Sequence, residues 1–218
     1  YGGSLENRMR FMTLCMEEVM KAAGNDMAVV AKMNMRDGPK RPGTTIEESI
    51  EIAKRLQQLG THAIVLSGGL VSATPMYVMR GEMPIHTMTH YMDKAWLKYG
   101  VRACGKMMVP TVPYQEAFFL EDALRFRQAM PDMKFIYVGG LVAGDKINEV
   151  LSHGFEAVQM ARSLLNEPDF VNRLKENPHH RCGCRHSNYC IARMYSVDMA
   201  CHQHLEEPLT PAIVREIE

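Results

Sequence analysis

Four positions carry types and spacings that could do chemistry together. Gly139 and Gly140 follow a short apolar run, Phe135-Ile-Tyr-Val138, and Arg162 stands just beyond a second one, Ala157-Val-Gln-Met160. Paired glycines let the backbone approach an anion with no Cβ in the way, and arginine offers a forked guanidinium to phosphate oxygens. Each also has a plain reading: Gly139-Gly140 as a tight strand-to-helix turn, Arg162 as half of a surface ion pair. Together, at the ends of consecutive strands, they favour an anion site. Lys32 lies inside a third apolar run, Ala28-Val-Val-Ala-Lys-Met-Asn34, where a lysine is costly unless it is paired or faces a ligand. Pairing with a buried carboxylate and facing a ligand are both open.

A second concentration of chemistry lies near the end of the sequence. Four of the six cysteines fall between Cys182 and Cys201, with histidines at 186 and 202. Some of Cys182, Cys184, His186, Cys190 and His202 could complete a zinc tetrahedron. Structural cysteines are the reading adopted, and no residue is assigned to a metal. The 19 methionines are scattered, which suits pliable core filling better than a thioether metal site.

The elements that must position these residues alternate. Ser4 caps a helix with Met9, Met12, Met16, Val19 and Met20 at spacings of three and four, ended by Gly24. Residues 28–34 read as a buried strand. Thr45 and Glu48 make a capping box for a helix carrying Ile46, Ile50, Ala53, Leu56 and Leu59, and His62–Leu66 is the next strand. Leu70 to Pro113 has poor periodicity apart from a helical stretch at 93–99, and reads as a lid or binding loop. A helix at 116–130, a strand at 135–138, a short helix at 146–151, a strand at 157–160 and a helix from Pro168 to about Lys175 complete the pattern. Four strands alternating with helices imply a parallel sheet. A closed barrel needs eight such units, and the open doubly wound alternative would want a GxGxxG turn that is missing. The helical pattern begins almost at Tyr1, which reads as a start within a domain.

Composition bounds the function. Lys plus Arg and Asp plus Glu balance at 25 each, so no net field favours nucleic acid or an anionic membrane. No run of about 18 apolar residues suggests a membrane span, and no leader is visible. A cytoplasmic protein with a small-molecule substrate is expected.

Tyr1-Gly-Gly-Ser-Leu-Glu-Asn-Arg8, Lys32-Met-Asn-Met-Arg-Asp-Gly38, Thr45-Ile-Glu-Glu-Ser49, Ser67-Gly-Gly69, Val138-Gly-Gly140, Met160-Ala-Arg162 and Glu167-Pro-Asp-Phe170 run collinearly along nearly the whole chain. Taken together the set resembles the old yellow enzyme family of NAD(P)H:flavin oxidoreductases. The resemblance implies an α/β fold of the (β/α)8 TIM barrel type, of which this chain covers about the C-terminal half. Residues 1–178 would be that half of the FMN-binding barrel and residues 179–218 a Cys/His-containing tail.

The resemblance also implies the cofactors, FMN with NADH or NADPH as reductant. Lys32 matches the basic residue at the N1/O2 edge of the flavin, and Gly139, Gly140, Ala161 and Arg162 match the phosphate cradle. The family's hydride acceptor is an electron-poor alkene or enone. Its proton donors, a His-x-x-His or His-x-x-Asn pair, lie upstream of the YGGS motif, so no catalytic residue is assigned here. Cluster-bearing relatives show C-x2-C-x3-C and a distant fourth cysteine. Here the spacing is Cys182-x-Cys184-x5-Cys190-x10-Cys201, with Ser187 where a ligand would stand, and no iron–sulfur cluster is expected. The upstream half of the barrel or a homo-oligomer partner is the expected companion. The alternative is a non-catalytic half-barrel acting as a binding or assembly module with a partner chain.

Overall fold

The computed structural model describes residues 1–38, 43–71, 74–194, 197–206 and 208–218. Ser72 and Ala73 of the long segment, and positions 195, 196 and 207 of the tail, lie outside the described residues. The elements run α1 (Leu5–Ala23), β1 (Val30–Asn34), α2 (Ile46–Gln58), β2 (Ala63–Ser67), α3 (Pro75–Met79), α4 (Ile85–His90), α5 (Ala95–Met108) and α6 (Leu120–Ala129). They continue with β3 (Phe135–Val138), α7 (Gly144–Ser152), β4 (Ala157–Gln159), α8 (Arg162–Asn166), α9 (Phe170–Glu176), α10 (Tyr189–Arg193), a 3-10 turn at His202–His204 and α11 (Pro211–Ile217). The chain divides into two compact units: Tyr1–Leu70 with Ala117–Gly139 and Asn148–Gln159, and Val71–Glu116 with Gly140–Ile147 and Met160–Glu218.

The first unit holds the sheet. Its four strands pair in parallel in the order β1-β2-β3-β4. Strictly sequential order is what four consecutive units of a barrel require, whereas a doubly wound sheet reverses order at a switch point. The helix starts follow the sequence. Ser4 accepts from the Asn7 N–H at 3.3 Å, and Thr45 and Glu48 form the reciprocal capping box. Arg8 pairs with that same Glu48, so the YGGSLENR segment is tied to the start of α2. Met9, Met12, Met16 and Met20 are half-buried along one side of α1, while Val19 is exposed, contrary to expectation. The helix expected at 116–130 begins only at Leu120, because Ala117 takes a left-handed φ of 54° that a helix cannot include.

One face of the sheet is the core. Ile64, Leu66, Phe135 and Tyr137 are fully buried, and Phe126 of α6 packs edge-on against Phe135. On the other face the register aligns Lys32 with Val65, Val65 with Ile136, and Ile136 with Ala157. This row is more open: Val65 is buried, but Ile136 and Ala157 are half-buried and Lys32 is exposed. The buried strand expected at 28–34 is therefore corrected. β1 starts at Val30, which is 47% exposed, because β1 is an edge strand with a neighbour on one side only.

The second unit is helical. The segment between Leu70 and Pro113, expected to be a loop apart from a helical stretch at 93–99, contains α3, α4 and α5, the last overlapping and extending that stretch. Their reason is a local core of Met76, Met79, Met83 and Ile85, with Val101, Val109 and Val112 packed on it. Three of those four core residues are methionines, so core filling accounts for them. A second cluster joins Tyr189, Ile213 and Ile217 to Leu205 and Leu209. Glu216 anchors α11 by accepting the His86 and Thr87 N–H groups at 2.7 and 2.9 Å. Among the described residues, no helix is long and apolar enough to cross a membrane.

Candidate anion and cofactor site

In the first unit, β1 and β2 deliver their C-terminal ends together. The Met35 N–H donates to the Ser67 carbonyl at 2.7 Å and the Gly69 N–H to the Arg36 carbonyl at 2.8 Å. The Asn34 amide adds a bond to the Gly69 carbonyl at 2.8 Å, and Arg36 pairs with Asp122 at 2.5 Å. These contacts fix the strand that presents Lys32. Among the described residues Lys32 has no carboxylate partner, which removes the buried ion pair as its explanation.

Gly139 follows β3 directly. It is buried with φ 142°, and an added Cβ would lie 3.1 Å from both Phe119 Cδ2 and the Tyr137 hydroxyl. Glycine is therefore required on conformation and on space. The Tyr137 hydroxyl donates to the Gly139 carbonyl at 3.0 Å and accepts the Phe119 N–H at 3.2 Å. It thereby holds the peptide plane that also carries the Gly140 N–H.

In the second unit, Gly140 takes φ 67° and its carbonyl accepts from the Tyr114 hydroxyl at 2.7 Å. Ala161 caps the short helix α8 without a side-chain bond, and Arg162 is its first residue. The N–H groups of Gly140, Ala161 and Arg162 have no acceptor among the described residues. Leading N–H groups of a helix and a glycine turn with unused N–H groups are what an anion uses. Arg162 Nη1 donates to Asn188 Oδ1 at 2.8 Å, so the plain reading of a surface ion pair fails, because its described partner is a neutral amide.

The donor set therefore fits a phosphate: backbone N–H groups, an arginine and, among the described residues, no carboxylate bonded to that arginine. Each unit contributes part of the expected set. Lys32 and Gly139 belong to the first, and Gly140, Ala161 and Arg162 to the second.

Reading the sequence missed the residues that brace this set. The Tyr114 ring stacks on His186 with centroids 3.6 Å apart at 19°. Burial pushes the Tyr114 hydroxyl pKa up, and Glu116 adds to the effect, so it stays a donor. His186 is pushed down to about 4, chiefly by burial and then by Arg162 and Arg181, so it is neutral near pH 7. Glu116 accepts the Val142 N–H at 3.3 Å and pairs with Arg181 at 2.6 Å. None of these residues shares a local pattern with Gly140 or Arg162, so only the fold could bring them forward.

The tail thiols face a different fate. Arg162, Cys184, His186, Asn188, Cys190 and Cys201 line a cavity of about 20 Å³, room for about one water. Burial raises the pKa values of Cys182, Cys184 and Cys190, which keeps them as thiols. Among the described residues no three His, Cys, Asp or Glu side chains gather as a metal ligand set. His180 meets Glu167 at 2.7 Å, and Glu167 also accepts the Gly183 N–H at 2.8 Å. This bond gives the Glu-Pro-Asp-Phe motif a structural task.

A four-stranded parallel α/β sheet in sequential order is consistent with part of a barrel, and the comparisons narrow the class. Residues 1–102, just under half of the chain, match the model of the NADH:flavin oxidoreductase / NADH oxidase family. It is 38% identical over 197 residues to a 4,4'-dithiodibutanoate disulfide reductase of Rhodococcus erythropolis, covering 90% of this chain and 48% of that protein. It is 35% identical over 75 residues to an NADH oxidase of Thermoanaerobacter brockii, covering 34% of this chain and 11% of that one. The chain thus spans about half or less of the curated relatives it matches. Its fold resembles that of 2-naphthoyl-CoA reductase solved with 2-naphthoyl-CoA, with a TM-score of 0.65 at 18% identity over 100% of this chain and 28% of that one. It also resembles histamine dehydrogenase from Rhizobium sp. 4-9, with a TM-score of 0.64 at 18% identity over 93% of this chain and 25% of that one. FMN, with NAD(P)H as reductant, is the cofactor pair of this family.

Proposed function

We propose that residues 1–178 form the C-terminal half of an FMN-binding (β/α)8 barrel, followed by the Cys/His tail at 179–218. The whole enzyme would pass hydride from NADH or NADPH through the flavin to an electron-poor alkene or enone. The observation that carries this reading is the partly open face of the parallel sheet. It exposes Lys32 in a row of otherwise apolar residues, on the strand whose end is tied to β2, and Gly139 follows the end of β3. Parallel sheets are ordinarily covered on both faces, and in a barrel the inner face is covered by the remaining strands. Four further strand–helix units, in the same polypeptide or a partner, would close it. A cytoplasmic location belongs to the same reading.

Bound FMN would supply a two-electron carrier between the nicotinamide and the acceptor. This chain's residues have two tasks. Gly140, Ala161 and Arg162 offer three N–H groups and a guanidinium to the phosphate, with Gly139 keeping Cβ atoms out of the way. Lys32 would offer the bound flavin a cation, and a cation beside the ring would favour its reduction. Proton donation to the acceptor is assigned to a His-x-x-His or His-x-x-Asn pair in the upstream units.

A second acceptor class, an organic disulfide, is favoured by the name of the Rhodococcus relative. Anaerobic NAD(P)H oxidation by the full-length protein, followed with cyclohexenone in one arm and 4,4'-dithiodibutanoate in the other, distinguishes the two. Turnover of the enone supports the first reading. Turnover of the disulfide alone replaces the acceptor and leaves the flavin in place, and loss of flavin with activity toward neither removes the proposal.

A further inference from the structure

The second unit contains a polar arrangement around Gly140 and Arg162 that phosphate binding alone does not require. Asn188 is 2% exposed and adopts the left-handed conformation, φ 57° and ψ 12°. Its Nδ2 donates to the carbonyls of Arg80 at 2.6 Å and Glu82 at 3.0 Å, and its Oδ1 accepts from Arg162 Nη1 at 2.8 Å. Both amide hydrogens meet carbonyls and the amide oxygen meets a cation, so its orientation is fixed. The choice of amide over carboxylate matters electrically. A neutral acceptor orients the guanidinium and leaves its full charge for a ligand, whereas an aspartate would cancel that charge and face two carbonyl oxygens.

Tyr114 does a parallel job on the backbone. Its hydroxyl holds the Gly140 carbonyl, and its ring is held by the stack on His186. With the Tyr137 hydroxyl on the Gly139 carbonyl, successive peptides of the Gly139-Gly140 turn each have their plane fixed by a tyrosine.

Resting on the flavin reading above, we propose that Asn188 and Tyr114 are positioning residues that select a phosphomonoester, and so FMN over riboflavin. Asn188 aims an uncancelled Arg162, and Tyr114 fixes the peptide that follows Gly140 and so holds the backbone on the carbonyl side of the residue whose N–H is offered; both act only on the phosphate end of the ligand. Their loss weakens binding of FMN and leaves binding of its dephosphorylated form unchanged. A general structural role would weaken both ligands together.

The experiment measures FMN and riboflavin affinity by fluorescence quenching in the deflavinated full-length protein and three variants, with thermal melting alongside. Asn188→Gly keeps the left-handed backbone at no steric cost and removes only the amide. Asn188→Asp tests charge cancellation, and Tyr114→Phe keeps the stack while removing the hydroxyl. Expected are a loss of about tenfold or more in FMN affinity for Asn188→Gly, a larger loss for Asn188→Asp and a smaller one for Tyr114→Phe, with riboflavin affinity within about twofold throughout. Parallel losses for both ligands, or Asn188→Asp binding FMN like the wild type, overturn the proposal. If an Asn188 variant fails to fold, Tyr114→Phe on a separate segment still decides it. A wild type that binds neither flavin would remove the flavin reading and this inference with it, whereas an FMN preference unchanged in all variants removes the inference alone.

Discussion

Replacing Lys32 by methionine separates electrostatics from stability. Lys32 is exposed on the partly open face of the sheet and its register neighbour across the strand is Val65. With no carboxylate partner among the described residues, its removal strands no buried charge. The cost to folding of this chain is therefore that of an ordinary surface change, within about 0.5 kcal/mol. Catalysis is a different matter. If the ammonium lies beside the ring edge that becomes anionic, its loss resembles removal of one oxyanion-type donor, on the order of 2–4 kcal/mol in the transition state. That corresponds to a slowing of flavin reduction by roughly 30- to 900-fold at about 1.36 kcal/mol per decade. FMN affinity should change far less, because the oxidised ring is neutral. Stopped-flow reduction by NAD(P)H, with FMN titration and urea unfolding on the same preparation, reads all three quantities. An unchanged reduction rate with FMN lost would make Lys32 a docking contact and refute the reasoning.

Gly139→Ala should destabilise by about 2–4 kcal/mol, combining backbone strain at φ 142° with overpacking against Phe119 and the Tyr137 hydroxyl. Urea denaturation measures it, and a loss under about 0.5 kcal/mol would show that the turn relaxes freely. His186 gives a pH signature. Its folded value of about 4 lies below the ordinary 6.5, so protonation favours the unfolded chain. Its contribution is complete above about pH 6.5 and is lost as the pH falls towards 4. His186→Phe, which can keep the stack on Tyr114, should flatten stability across that window, and an unchanged slope in a pH series of melts would contradict the assignment.

The elements with strong local signals were legible in the sequence. The capping box at Thr45 and Glu48, the glycine stop at Gly24 and the strand at 135–138 stand as read, and four strands alternating with helices gave the parallel sheet. What stayed hidden had no local signal. α3 and α4 are five and six residues long, and neither they nor α5 has a side-chain cap at its start. They are held by a methionine cluster assembled from across the segment, which periodicity does not register.

The site divides the same way. Gly139, Gly140 and Arg162 could be picked out as candidates by type and by place after strands. Asn188 could not, because its value depends on carbonyls more than 100 positions away in the chain and on a left-handed backbone. Lys32 was singled out for the wrong reason. It lies in a run read as a buried strand, whereas it is exposed on an edge strand.

The most direct test is a crystal structure of the full-length protein with FMN bound. The account predicts the phosphate on the N–H groups of Gly140, Ala161 and Arg162, with the guanidinium of Arg162 still bonded to Asn188 and the N1/O2 edge of the ring beside Lys32. A flavin seated away from the C-terminal ends of these strands, or a phosphate that touches neither Gly140 nor Arg162, would contradict it.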